Sequence, residues 1–150
     1  MRARFIGLLF LATFSSTGLA QNAPRAAVEV SLNRQNPLHL RATLTSGAAA
    51  TVKINRSDLP WGNRYSMVFA AARPNGEAVD LMLPVDDPGP NEISVKQGEV
   101  LTGDIDLQRV IRDMNALKKS DVLLFWAYKS PAALHIPRLS GCLVVIPQQK

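Results

Sequence analysis

The chain has 150 residues, 47% of them hydrophobic and 19% charged, which allows one domain and excludes a disordered polymer or a multi-span membrane protein. One Cys and two His exclude an internal disulfide framework and nearly every Cys/His zinc site; no cofactor and no metal are expected. The formal charge of +5 comes from scattered basic residues with no arginine-rich, aromatic-interleaved run, so nucleic acid is not an expected partner.

Residues 1–20 read as a secretory signal. Arg2 and Arg4 precede a nearly unbroken apolar stretch over 5–14, and small or polar residues follow over 15–20, the three regions of such a signal in order. An apolar stretch of about ten residues is too short for a hydrocarbon core that needs about twenty helical residues, so stable membrane insertion is not expected. Gly18 and Ala20 suit a signal peptidase and place cleavage between Ala20 and Gln21. Ala3 separates the two arginines, and no Cys follows the apolar run to accept a lipid, which leaves a Sec-type signal. A buried N-terminal helix would leave Arg2 and Arg4 unexplained. Removing the segment leaves 15 basic and 12 acidic side chains, a net charge of +3. An exported domain that can form no internal disulfide fits a bacterial periplasm or the bacterial exterior better than a eukaryotic secretory route. The expected organisation is a signal over 1–20, a flexible mature N-terminus over 21–26, one domain over 27–147 and a tail over 148–150.

The mature chain then alternates with a period of two, the signature of strands with one face buried. Val28, Val30 and Leu32 alternate with Glu29, Ser31 and Asn33; Leu38, Leu40, Ala42 and Leu44 alternate with His39, Arg41, Thr43 and Thr45, with Asn36 and Pro37 turning the chain between the two runs. A weaker strand is expected over 51–55. Tyr65, Met67, Phe69 and Ala71 share a face of the next strand, and Pro74, Asn75 and Gly76 reverse the chain into 78–83, the clearest hairpin signal in the sequence. Pro84, Pro88 and Pro90 make 84–91 a loop. Ile93 and Val95 suit a short edge strand, and Gly98 turns the chain into a strand over 101–107.

There the period changes. Leu107, Val110, Ile111, Met114 and Leu117 lie on one helical stripe, which predicts a short helix over about 107–118 with Asp106 capping its start and Lys118 and Lys119 at its end. Two apolar runs follow, 122–128 and 142–146, joined through Pro131 and Pro137. Their near-continuous hydrophobicity predicts central strands covered on both faces, or on one face by the helix. Eight or nine short strands around a single core predict a mainly β chain, an antiparallel β-sandwich of immunoglobulin-like type with one short helix.

Gly98-Glu99 followed by Ile105-Asp106-Leu107, the strand over 122–128 with Phe125-Trp126 inside it, and the Pro74-Asn75-Gly76 turn together resemble the small exported immunoglobulin-like domains of bacteria, many of which have no assigned function. That resemblance implies a fold in which the Gly-Glu turn opens a strand and the aromatic strand lies in the core. The sequence departs from antibody-type domains in lacking their paired Cys, and its helix is long for a sandwich connection. A fold of this kind names no function.

Each candidate for chemistry has a plainer account beside it. His39 falls on the polar face of its strand and His135 in a loop; both read as solvated. Met67 and Met114 fall at core positions rather than in a soft-metal site with Met82, the two His and Cys142. Cys142 reads as a small buried hydrophobe rather than a reactive thiol. Asp86 and Asp87 read as a solvated turn rather than a glycosidase pair. No Gly-x-Ser-x-Gly elbow and no phosphate-cradling loop occurs, and no enzymatic activity is expected. The candidate protein-binding residues are Trp61, between Pro60 and Gly62, with Arg56 and Arg64 near it, since Trp and Arg dominate interface hot spots; the plainer account folds Trp61 back over the sandwich. The polar helix face with Arg109, Arg112 and Lys119 is a second candidate surface. The expected function is an exported noncatalytic binding or accessory domain of the bacterial cell envelope, its partner another envelope or secreted protein. The alternative is an immunity or inhibitor protein that occludes an exported enzyme.

Overall fold

The computed structural model describes residues 26–62, 66–83, 91–137 and 140–149. The expected signal segment, its cleavage site at Ala20 and Gln21, Arg64, and Asp86 and Asp87 lie outside the described residues. Among the described residues eight strands form: β1 (Ala27–Leu32), β2 (His39–Thr45), β3 (Val52–Asn55), β4 (Met67–Ala72), β5 (Glu92–Val95), β6 (Val100–Asp106), β7 (Val122–Tyr128) and β8 (Ser140–Ile146). They pair into two three-stranded sheets, β1–β2–β6 and β4–β7–β8, and a two-stranded sheet, β3–β5. Every pairing is antiparallel.

The strand orders identify the architecture. Strands one, two and six beside one another, facing strands four, seven and eight, reproduce the A-B-E and C-F-G sheets of an immunoglobulin-type sandwich. The chain is mainly β, as its two-residue rhythm predicts. Gly98, at φ 66°, turns the chain from β5 into β6, a left-handed conformation that glycine adopts without steric cost. The Glu99 carboxylate closes that turn by accepting the Lys96 N–H at 2.6 Å.

Alternation in the sequence becomes an inside and an outside. On the inner face of the first sheet, Val28, Leu44 and Leu101 form one cross-strand row, Val30, Ala42 and Gly103 the next, and Leu32, Leu40 and Ile105 the third. The facing sheet contributes Met67 beside Tyr128, Phe69 beside Trp126, and Leu124 beside Val144. Leu40, Leu44, Leu124 and Ile146 are wholly enclosed, and each such side chain contributes about 1.5–3 kcal/mol through removal from water. The indole N–H of Trp126 is buried with no acceptor among the described residues, a local cost that the surrounding apolar packing offsets.

Three expectations change. The stripe over 107–118 is not one helix: residues Leu107–Arg109 form a 3₁₀ turn, Ile111 bridges to Leu81, and only Ala116–Lys119, here α1, is α-helical. The stripe still marks burial correctly, since Leu107, Val110, Ile111 and Leu117 are all in the core. The break has a cause in Asp113, whose carboxylate accepts the Asn115 N–H at 2.9 Å, a local bond that competes with helical pairing. Asp106 does cap the first turn, accepting the Gln108 N–H at 2.9 Å. The hairpin after β4 turns at Gly76 as expected, but its second arm makes only an isolated bridge, Ala72 to Ala78, before the chain crosses to Val110 and Ile111. The apolar runs of β7 and β8 are not covered on both faces: Phe125, Leu143 and Val145 are exposed, and α1 packs instead against the chain following β8, where Gln149 N–H donates to the Leu117 carbonyl. No helix among the described residues is long and apolar enough to cross a membrane.

Candidate binding surface

The corner that carries Trp61 is tied down by short-range and cross-sheet bonds. Asn55 Oδ1 accepts the Ser57 N–H at 3.1 Å, and Gly62 N–H donates to the Leu59 carbonyl at 2.9 Å. From β7, the Tyr128 hydroxyl donates to the Asp58 carbonyl at 2.8 Å; from the start of β4, Ser66 Oγ donates to the Leu59 carbonyl at 2.7 Å. Tyr128 is itself enclosed. Burial pushes its phenol well above the ordinary value, and the nearby Asp58 carboxylate adds to the shift.

Trp61 folds inward from this corner. Its ring lies so close to Gly103 of β6 that a β-carbon there would fall 2.2 Å from the indole. The indole packs against the core over β6, half-buried, and shares the lining of one depression with the β4 residues Met67 and Phe69. Beside it is a depression of about 140 Å³ lined by Trp61, Met67, Phe69, Asp104, Asp106 and Arg109, smaller than the usual range for small-molecule sites. Its charges already have partners: Arg41 reaches Asp104 through Nε at 3.1 Å and Nη2 at 3.4 Å, and Arg109 lies 3.8 Å from Asp106. The Arg41 hydrogen bond holds the Asp104 carboxyl below its ordinary range. A second depression, bounded by Arg73, Asn75, Lys119 and Ser120, has a basic rim, but it sits at the carbonyl end of α1 and Arg73 is paired with Glu77. Both features weaken its attraction for anions.

The remaining candidates are dispersed. Arg56 is exposed and does not line the Trp61 depression. His39 stands on the outer face of β2 opposite Asp106; His135 is exposed at φ 50° after the turn Ala132–Leu134. Met67 is in the core and Met114 packs against it. Among the described residues no group of three His, Cys, Asp or Glu is arranged to hold a metal ion. Cys142, expected to be buried, is exposed; it lies early in β8, opposite Trp126, while Val144 and Ile146 further along the same face are enclosed.

The surface missed from the sequence is the outer face of β4–β7–β8. Its three cross-strand rows are Ala72–Leu123–Val145, Ala70–Phe125–Leu143 and Val68–Ala127–Gly141. None of the nine carries a polar side chain. Val68 is 62% exposed, Phe125 45%, Leu143 41% and Val145 49%, so the patch is open across all three strands. The signal was present in the uninterrupted apolar runs of β7 and β8, but such runs read equally well as strands buried on two sides. Comparison with protein-family models and with curated proteins finds no match to this chain.

Proposed function

We propose that this chain is an exported, noncatalytic binding domain of the bacterial cell envelope, and that it binds through the outer face of β4–β7–β8. The observation that carries the reading is the nine-residue apolar surface. The largest contiguous apolar patch of a monomer often marks an interaction site, and the antiparallel sheet places this one on a rigid support. Trp61, the candidate anchor whose plainer account folds it back over the sandwich, packs inward over Gly103. Export rests on the three-part pattern of residues 1–20. An inhibitor that enters an enzyme cleft calls for a protruding charged loop or helix; among the described residues α1 is a single turn with Ala116 and Leu117 buried.

The test is a photo-activatable phenylalanine analogue incorporated at Phe125 and, as control, at Thr43 on the opposite outer face, with irradiation of intact cells. The expected result is a covalent adduct from position 125 and none from 43, recovered in the envelope fraction on a chain that begins at Gln21. Absence of any adduct at 125 sinks the binding reading, and a chain that retains Met1 in the cytoplasm sinks the export reading.

A further inference from the structure

We infer that the partner of the β4–β7–β8 face is a second copy of this chain, packed sheet on sheet about a two-fold axis parallel to β7; this rests on the reading of that face as the working surface. The argument is the distribution of large and small residues over the three rows. Rotation about such an axis lays β4 of one copy over β8 of the other and β7 over β7. Ala72 then meets Val145, Ala70 meets Leu143, and Val68 meets Gly141, using the observed register of both pairings. Every outer-column contact sets a large side chain against a small one, the interdigitation that packed sheets about 10 Å apart require. In the central column Leu123, Phe125 and Ala127 meet their own counterparts, as an isologous interface demands.

Charge and area agree with this occupant. The face holds no charged residue, so two copies meet without like-charge repulsion, and nothing on it selects a charged partner. The four most exposed large residues of the face, Val68, Phe125, Leu143 and Val145, present roughly 350 Å² per copy, or about 700 Å² in the pair, the small area of a weak, reversible association. Gly141 is fixed in this scheme for a second reason: a β-carbon there would fall 2.8 Å from the Trp126 carbonyl oxygen, so the position opposite Val68 stays empty by construction.

The experiment measures the mass of the 21–150 chain in solution by sedimentation equilibrium from about 5 to about 500 µM, spanning the affinities expected of an interface of this size, in reducing buffer so that Cys142 cannot link copies. The expected result is a monomer that becomes a dimer with rising concentration. Phe125→Lys should weaken the dimer at least about thirty-fold, with an unchanged circular dichroism spectrum, whereas Thr43→Lys leaves it intact. Ala70→Lys and Leu143→Glu should each be monomeric alone and should form a one-to-one heterodimer when mixed, because the axis places these two positions against each other. A monomer throughout the range overturns self-association, as does a dimer indifferent to Phe125→Lys; failure of the mixed pair to associate overturns the axis. If the chain stays monomeric while Phe125 photo-crosslinks to a different protein in cells, self-association falls and the binding reading stands; monomer with no adduct removes both.

Discussion

Outside β1–β2–β6 the cross-strand rows run Ala27–Thr45–Val100, Glu29–Thr43–Thr102 and Ser31–Arg41–Asp104, while outside β4–β7–β8 all nine positions are aliphatic, aromatic or glycine. Both sheets bury the opposite side against the same core, so the demands of folding do not distinguish them. Apart from Ala27 and the exposed Val100, the first outer face is polar: hydroxyls, and a carboxylate that receives two bonds from Arg41 and one from Asn33 at 3.4 Å. The second gains nothing from water and keeps its apolar area exposed. What differs is the character of the two outer faces, largely polar on one sheet and wholly apolar on the other.

The inner faces should prove equivalent, and that expectation carries the largest effect. Leu40→Ala and Leu124→Ala remove enclosed side chains from the two sheets and should each cost about 2–5 kcal/mol, read as matched shifts in urea midpoint. A large loss for one alone would show that the sheets do not share a core. Tyr128→Phe comes next, deleting the bond to the Asp58 carbonyl at about 1–2 kcal/mol. Because the folded phenol titrates above its unfolded value of 10.0, its contribution is complete below that pH and is lost as pH rises beyond it. The Phe variant should therefore show a shallower alkaline decline in stability.

The outer faces should separate at smaller energies. Phe125→Lys should change folding stability by no more than about 1 kcal/mol while sharply lowering the binding of an apolar dye. A dye signal that persists would place the exposed apolar area elsewhere. Arg41→Ala should be the mildest, at about 0.5 kcal/mol or less for a solvent-screened pair. Asp104 titrates below its unfolded value of 3.8 when folded, so this small contribution is present above the unfolded value and lost as pH falls through the folded one. High salt should erase most of the difference between Arg41→Ala and wild type.

Much of this architecture was legible because the period of two is enforced by burial. The strand over 122–128 was read with its observed bounds, and β1, β2 and β6 shifted by a residue or so at their ends. Reading failed where pairing depends on a distant segment. Ala78 and Leu81 have the alternation of a strand, yet the chain leaves β4 to bridge Ile111. The stripe from Leu107 to Leu117 encodes which side chains are buried, and three different local conformations satisfy it. The apolar outer face escaped for a related reason: hydrophobicity in β7 and β8 reports that water is disfavoured there, without reporting whether the same chain supplies the cover. Trp61 was open between projecting and folding back, and what decides it is the missing side chain at Gly103, forty-two positions downstream.

That indole-on-glycine contact ties the histories of two distant positions. A lineage that enlarges residue 103 evicts the ring, and one that trims residue 61 opens a gap only a bulkier residue at 103 could refill. Neither step is neutral alone, so in relatives of this chain the two positions should covary, Trp with Gly or a smaller residue with a larger one, while mixed combinations stay rare.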